Sequence, residues 1–447
     1  MSNDLTLTAA AAAIASGDLS SERLVRNCLD RIEARDPVIR AWAFIDPELA
    51  LAQARACDKA GERLGPLHGV PIGIKDIIET CDMPTQMGSP IYDGNQTRND
   101  AACVALMRAA GAVITGRTNM VEFAMGAPGT NAHYGTPKNA WDRATGRIPG
   151  GSSSGAAVSV TDGMAAAALG TDTAGSVRIP AALCGLAGFK PTARRVPTEG
   201  IYPLSRTLDS VGPLAPTVAC CALVDAVFAG AAPPELTPRP LQGLRLAVPK
   251  YLVFDDVDDT VGAAFQAALS KLSAAGARIT KIDFAELARM PAINRIGGFS
   301  TAEAYALHRT VLDRAGNQYD QNVAARIRAG EAWTAADYLD LIDIRADMMA
   351  AANRISAPFD AIVMPTLPVI ACAIADVEDA EAWATTGRLL LRNTLVSNFL
   401  DRCALTVPCH DQGAAPVGFT MMGESMGDRR LLEIGLAVEA CISPALA

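Results

Sequence analysis

The chain has 447 residues and a net charge of −9, and 50% of its residues are hydrophobic and 19% are charged. This composition is typical of a globular protein with enough apolar material for a large core. The acidic balance argues against a general nucleic-acid-binding surface. No stretch reaches the roughly 18 apolar residues that a membrane span needs. We therefore expect a protein that acts on small or neutral molecules.

The start of the chain and its cysteines suggest a compartment. The first residues are acidic, whereas a secretory signal begins with positive charge, and no clean cleavage pattern follows. The 11 cysteines are scattered and form no C-x-x-C pair, so we expect reduced core thiols rather than a metal or redox site. These features predict a cytoplasmic protein.

The predicted elements alternate between helices and strands. Helices are predicted over 5–65, 100–111, 156–169 and 300–355, and strands over 67–78, 112–119, 244–250, 359–366 and 403–408. A loop rich in Gly, Pro, Asn and Ser occupies 126–155. Such alternation predicts an α/β fold with a largely parallel or mixed sheet. We expect one domain with a helical excursion near 285–355.

Two clusters of glycine and serine stand out, "GGSSSG" from Gly150 and "GTDTAGS" ending at Ser176. The first matches G-x-S-x-G, which nominates Ser153 as a nucleophile on an elbow between a strand and a helix. The residues before it, "TGRIPG", form a loop rather than a strand. By chain order, His308 or His410 could complete a triad, so the elbow remains an alternative.

A lysine lies inside an apolar run, "VPIGIKDII". Burying an ammonium group costs several kcal/mol unless it is paired or loses its proton. In one interpretation Lys75 is partly exposed and pairs with Asp76. In the other it is a buried neutral amine that serves as a base, because desolvation lowers a lysine pKa.

The second cluster, "GTDTAGSVRIPA", suits a developing oxyanion. Small residues before a serine allow successive backbone N–H groups to turn toward one point, which forms an anion-binding concavity. A plain tight turn is the alternative interpretation of this cluster alone.

Three motifs together are more specific than any one of them. "HGVPIGIKD", "PGGSSSGAAV" and "LGTDTAGSVRIPA" follow one another in an order and spacing that resemble the amidase signature family, densely over 66–215. Near the C-terminus, "PVGFTMMG" has Thr420 where glutamine is common. The resemblance implies one amidase domain over 1–447, with a central mixed sheet flanked by helices and a signature core at 66–215. The excursion over 285–355 would line the substrate pocket.

The resemblance also implies the roles of individual residues. The family uses a serine, a second serine that follows a cis peptide bond, and a lysine, which here are Ser176, Ser152 and Lys75. Ser153 and Ser154 would support the loop. The oxyanion hole would consist of backbone N–H groups, those of Thr173, Ala174, Gly175 and Ser176. Many members have glycine where this chain has Ala174.

The implied activity is cleavage of the C–N bond of small or aryl amides, and by extension of carbamates (urethanes) and esters, without a metal or an organic cofactor. The substrate would be a small-molecule amide or carbamate, which lies beside Ala124, Met125 and Gly126. Arg206 could bind a substrate carboxylate, whereas Arg178 is expected to form a structural pair.

Two alternatives stay open. The chain could be the glutamine-hydrolysing component of an amidotransferase (its A component), which releases ammonia from glutamine for a partner protein acting on tRNA. It could also be an inactive binding scaffold. For the free-standing hydrolase we expect a monomer or homodimer, with no nucleic-acid or membrane partner.

Overall fold

A computed structural model describes residues 5–233 and 235–443, so both ends of the predicted 1–447 domain lie outside the described residues. The helices are α1 (Leu7–Ser16), α2 (Ser21–Ile39), α3 (Pro47–Lys59), α4 (Ala102–Ala109), α5 (Ser154–Thr161), α6 (Arg178–Cys184), α7 (Val218–Phe228), α8 (Asp259–Ala274), α9 (Met290–Ile293), α10 (Gly298–Ala315), α11 (Gln321–Arg328), α12 (Ala335–Ser356), α13 (Ala380–Phe399) and α14 (Asp428–Ile442). The strands are β1 (Trp42–Ile45), β2 (Pro71–Lys75), β3 (Val113–Thr118), β4 (Ala167–Thr171), β5 (Ala187–Lys190), β6 (Val211–Ala215), β7 (Arg245–Pro249), β8 (Arg278–Ile282), β9 (Ala361–Pro365), β10 (Ala404–Pro408) and β11 (Gly418–Met422).

All strands of the described residues join one sheet, in the order β1-β3-β2-β4-β6-β5-β10-β11-β9-β7-β8. β2 runs parallel to β3 and β4, and β7 runs parallel to β8 and β9. The other neighbours are antiparallel. The predicted α/β fold with one central mixed sheet flanked by helices is confirmed.

The central strands of the sheet are buried, and because successive side chains of a strand point to opposite sides, they contribute to a core on each face. In β4, Ala167 and Leu169 belong to the apolar core that also contains residues of α4, α7, α8 and α14. Ala168, between them, belongs to the core formed with α2, α3, α5 and α6. Strands covered on both faces are continuous apolar runs, which is why the sequence identified five of the eleven strands in the described residues, namely β2, β3, β7, β9 and β10.

Two predictions from sequence are wrong in part. The helix expected over 156–169 ends at Thr161, and Gly163, with φ +63°, turns the chain into β4. Alanine favours helix, but placement between β2 and β6 overrides this propensity. The predicted helical region 5–65 also contains the edge strand β1, which pairs with β3.

The region of the predicted excursion is helical in the structure. It comprises α9 to α12 and is inserted between β8 and β9. Over residues 5–233 and 235–443, we find no helix that combines the length and the apolar character needed to cross a membrane.

The parallel arrangement of β2 and β4 sets the position of the candidate site. Lys75 is the last residue of β2 and Thr171 the last residue of β4. Because the carboxyl ends of neighbouring parallel strands meet at one edge of a sheet, these two side chains lie at the same edge. Both clusters of glycine and serine adjoin this edge, one before α5 and the other after β4.

Candidate active site

Lys75 is fully buried at the end of β2. Its Nζ lies 2.7 Å from Ser152 Oγ and 2.8 Å from Thr171 Oγ1. Asp76, which could have paired with it, faces Arg117 instead, with 3.4 Å between the carboxylate and the guanidinium. The structure therefore excludes an exposed Lys75–Asp76 pair and brings together the predicted lysine and the predicted middle serine.

The electrostatic environment favours a neutral amine. Burial lowers the pKa of Lys75 to about 7, although Asp209 and Asp172 act in the opposite direction. No carboxylate forms an ion pair with Nζ within the described residues. At neutral pH a substantial fraction of this lysine thus has a free lone pair, as a general base requires.

Ser152 is also fully buried. The peptide bond between Gly151 and Ser152 is cis, as the resemblance implied. The carbonyl oxygen of Ser152 accepts a hydrogen bond from Val121 N at 3.1 Å. A Cβ on Gly151 would lie 2.9 Å from Gly129 Cα, so close backbone packing excludes a side chain at this position. The serine hydroxyl is thereby held at Lys75 by tightly packed backbone.

Ser176 ends the loop that joins β4 to α6, and 5% of its surface is exposed. Its carbonyl oxygen accepts a hydrogen bond from Ser153 N at 3.3 Å, which links the two clusters of glycine and serine. Asp172 holds the loop from within, since its carboxylate accepts hydrogen bonds from the N–H groups of Gly175 at 2.8 Å and Val177 at 3.1 Å.

The predicted oxyanion hole consists of four backbone N–H groups, and the loop already uses one of them. The Gly175 N–H donates to Asp172 at 2.8 Å. The N–H groups of Thr173, Ala174 and Ser176 have no acceptor in the part of the chain that the structure describes. Glycine is nevertheless required at 175, where φ is +133° and a Cβ would lie 2.2 Å from Thr394 Oγ1.

Arg178 forms the structural pair that the sequence suggested. It is fully buried, and its Nε and Nη2 each donate to Asp172 at 3.0 Å. Burial alone would raise the pKa of Asp172, but Arg178 lowers it to about 2. Asn398 also donates to this carboxylate at 2.9 Å. Arg178 is therefore occupied and does not serve as a free cation for a substrate carboxylate.

The nucleophile elbow is not formed. Ser153 follows a loop, and its Oγ donates to the carbonyl oxygen of Thr171 at 3.3 Å. His308 Nδ1 lies 2.9 Å from the Tyr319 hydroxyl, and His410 Nδ1 accepts from Val417 N. Within the described residues no hydrogen bond joins either ring to Ser153. Ser154 begins α5, and its buried hydroxyl has no hydrogen-bond partner among the described residues.

The predicted substrate loop is attached to the helical excursion. Ala124 and Met125 are buried, and a Cβ on Gly126 would lie 2.7 Å from the Trp383 ring. Just before them, Glu122 accepts hydrogen bonds from Ser89 Oγ at 2.6 Å and Asp320 N at 2.8 Å. Aromatic rings reinforce this junction, since Phe123 packs against His308 and Tyr319.

Thr171 and Glu122 were missed by the sequence analysis. Thr171 directly precedes the "DTAG" segment, but its importance depends on β2 and β4 being neighbours. Glu122 looks like an ordinary surface carboxylate in sequence. Its burial raises its pKa to about 7, which shows how enclosed the base of the substrate loop is.

A cavity of about 770 Å³ lies beside this edge of the sheet. Thr171, Asp209 and Arg206 are among its lining residues, but Ser176 is not. The cavity thus reaches Thr171, which contacts Lys75, but it does not reach Ser176. Arg206 is exposed and has no ion-pair partner among residues 5–233 and 235–443.

One group of side chains has the composition of a metal site. Cys81, Asp82 and Asp100 place their ligand atoms within 4.8 Å of one another. Arg108 lies 2.7 Å from Asp82 and 3.0 Å from Asp100. Since this guanidinium already contacts both carboxylates, the group gives no indication of a bound cation.

A buried lysine beside a serine hydroxyl, at the edge of a large mixed sheet, is the arrangement of a hydrolase that activates serine without histidine. The comparisons with known proteins identify the family. The family model described as Amidase matches residues 23–432, and the chain belongs to this family, the amidase signature family. It is accordingly an amide-hydrolysing enzyme.

Similar proteins differ in what they act on. A 2-amino-5-chloromuconic acid deaminase of Comamonas testosteroni is 35% identical, covering 98% of this chain and 96% of the relative. The A component of a glutamyl-tRNA(Gln) amidotransferase of Chloroflexus aggregans is also 35% identical, covering 97% and 96%. A crystal structure of an amidase matches with TM-score 0.89 and 30% identity, covering 98% of this chain and 100% of that one. These similar proteins have cleavage of a C–N bond in common, but they do not have a substrate class in common.

Proposed function

We propose that the protein is a free-standing serine hydrolase that cleaves the C–N bond of small or aryl amides through an acyl-enzyme on Ser176. The observation that carries this proposal is the full burial of Lys75 with its amine 2.7 Å from Ser152 Oγ. A serine hydroxyl is a poor nucleophile until a base removes its proton. A neutral buried lysine is such a base.

The decrease in exposure from Ser176 to Ser152 and Lys75 supports an ordered proton relay. Ser176 retains some exposed surface, whereas Ser152 and Lys75 have none. Substrate entering from solvent therefore meets Ser176 first, and protons move inward. Lys75 takes a proton from Ser152, Ser152 takes one from Ser176, and Ser176 Oγ attacks the acyl carbon.

The loop before α6 would stabilise the tetrahedral intermediate. Three N–H groups without acceptors, those of Thr173, Ala174 and Ser176, are candidates to bind the oxyanion. Ser152 then returns a proton to the leaving amine, and water hydrolyses the acyl-enzyme. In this series of steps, side chains or water carry every proton.

The surroundings of the site favour a neutral or aryl substrate, and carbamates and esters are chemically close extensions. The loop at Ala124, Met125 and Gly126 is apolar and is joined to the helical excursion through Phe123, His308 and Tyr319. We infer that the loop and the excursion together line the substrate pocket.

The alternative function is that of the glutamine-hydrolysing component of an amidotransferase, which is favoured by the 35% identity to such a component over nearly the whole chain. An inactive scaffold is a weaker alternative, because Lys75 and Ser152 remain in contact and Ser176 remains in place.

One experiment separates these functions. The purified protein is labelled with a fluorophosphonate, digested and analysed by mass spectrometry, and its turnover is measured on amides, anilides, carbamates, ureas and glutamine. We expect an adduct on Ser176, none in Ser176→Ala, and turnover of an amide or anilide. Glutaminase activity alone, together with a stable partner in a pull-down, would favour the amidotransferase component. No adduct and no turnover would favour the scaffold.

A further inference from the structure

A group of arginines lies outside the catalytic machinery, around Arg402. Only 2% of this residue is exposed, and no carboxylate forms an ion pair with it in the described part of the chain. Its Nη2 donates to Asn353 Oδ1 at 2.7 Å and Ser356 Oγ at 2.9 Å, and its Nη1 donates to the carbonyl oxygen of Gly423 at 3.3 Å. Its Nε is buried without any partner.

These contacts leave the charge of Arg402 uncompensated. A guanidinium stays protonated in proteins, and all of its partners here are neutral. A buried charge without a counter-charge is costly, and an unsatisfied buried donor requires an explanation, such as an ion that normally occupies the site.

Arg402 lines a cavity of about 270 Å³, which we call the arginine cavity. Arg245 and Arg430 also line it, and they share one carboxylate, with Asp360 Oδ1 2.9 Å from the first and 2.5 Å from the second. The other acid of the lining is Glu424, which is 65% exposed and 4.0 Å from Arg430. Three guanidinium groups against two carboxylates leave one positive charge in excess.

The N-terminus of α14 adds donors to the same cavity. Gly427, the residue before this 15-residue helix, lines the cavity, and no side chain caps the helix. Asp428 in the first turn points elsewhere, since its carboxylate accepts from Thr192 N at 2.8 Å and from Thr192 Oγ1 at 2.9 Å. The free N–H groups of a first turn and the helix dipole favour a bound anion.

We propose that the arginine cavity binds a small phosphate-type oxyanion, either inorganic phosphate or the phosphate end of a small phosphomonoester. A tetrahedral oxyanion offsets the excess guanidinium charge, the uncapped helix N-terminus stabilises its further negative charge, and guanidinium groups bind phosphate oxygens well. A cavity of this size holds the phosphate group and leaves any attached organic part in solvent. Bound there, the anion would join α12, α14 and the segment that precedes β10.

The test is isothermal titration calorimetry of the full-length protein with inorganic phosphate and, separately, with glycerol phosphate, at constant ionic strength set with chloride. We expect saturable binding of one anion per chain. Arg402→Gln and Arg430→Gln should each weaken it at least tenfold. Arg429→Gln is the matched control, because Arg429 is on the same helix turn but pairs with Glu433, and it should bind like the wild type.

Each outcome decides for or against the site. Saturable binding of either ligand supports the site, and the ratio of the two affinities tells the two sources apart. If Arg402→Gln fails to fold, the comparison of phosphate affinity between Arg430→Gln and Arg429→Gln still tests the site. Absence of saturable binding to the wild type would overturn the proposal, and so would equal affinity of Arg430→Gln and Arg429→Gln. Loss of amidase activity is not a readout here, so the outcome is independent of the proposed function.

Discussion

Lys75 and Thr171 end neighbouring parallel strands, and Lys75 Nζ lies 2.8 Å from Thr171 Oγ1. The threonine hydroxyl thereby occupies one hydrogen-bonding direction of the amine, and Ser152 Oγ occupies another. Thr171 thus acts through Lys75 and does not need to touch substrate.

Thr171→Val should lower kcat by about tenfold, the typical value of one lost hydrogen bond, and leave KM unchanged. A hydroxyl that accepts from an ammonium favours the charged form, so its loss should also move the acid limb of the pH–rate profile to lower pH. Thr171→Ser, which keeps the hydroxyl, is the control. Steady-state kinetics from pH 5 to 10 measure both effects, and a Val variant with the wild-type profile would contradict this role.

The pKa of Lys75, lowered to about 7 by burial, predicts the pH dependence of the reaction. The neutral amine is the active form, so kcat/KM should rise with pH and level off above about pH 8. Lys75→Met should lose most amide turnover and remain folded. The matched control is Lys190→Met, because Lys190 is also buried but its Nζ donates to the carbonyl of Pro191. An activity maximum below pH 6 would rule out a lysine base.

The same lowered pKa predicts a change of stability with pH. In the unfolded chain Lys75 regains a pKa near 10.4, so between about pH 7 and pH 10 the unfolded state binds a proton that the folded state does not. The free energy of unfolding of the wild type should therefore rise with pH relative to that of Lys75→Met, by up to about 1.4 kcal/mol per pH unit. Urea denaturation of both proteins at pH 7, 8 and 9 measures this difference. A constant difference would show that Lys75 is charged in the folded protein.

Ser152 should matter more for amides than for activated esters. In the proposed relay it delivers a proton to the leaving nitrogen, which an amide needs and a nitrophenolate does not. Ser152→Ala should slow a matched amide by about 10²–10⁴-fold or more and a nitrophenyl ester less. The ratio of kcat/KM for the two substrates is the measurement, with circular dichroism to verify folding. Equal small losses on both substrates would instead favour direct contact between Lys75 and Ser176.

Arg178 should be required for stability rather than for substrate charge. Arg178→Met leaves Asp172 buried without its guanidinium partner, and breaking a buried pair in this way typically costs about 3–5 kcal/mol. Arg206→Met, at an exposed position without an ion pair, is the control and should stay within about 0.5 kcal/mol of the wild type. Urea unfolding compares the two. If Arg178→Met were as stable as the wild type, Arg178 would be free for another role.

The sequence by itself predicted the α/β class and five of the eleven strands in the described residues, and the resemblance to the amidase signature family implied that Lys75 and Ser152 act together. Strands buried on both faces are continuous apolar runs, and a lysine inside such a run is conspicuous. The alanine-rich segment of β4 was misread as helix, because alanine favours helix and only the neighbouring strands impose an extended backbone.

Tertiary structure alone decided the contacts between distant segments. Thr171 joins Lys75 because β4 lies beside β2, and Asp172 takes the Gly175 N–H because Arg178 and Asn398 hold its carboxylate beneath the loop. The local sequence shows which residues have suitable side chains, because it gives the type and the spacing of each residue. Which donor meets which acceptor depends on how the sheet orders its strands and on what burial does to each charge, and both arise only when the whole chain packs.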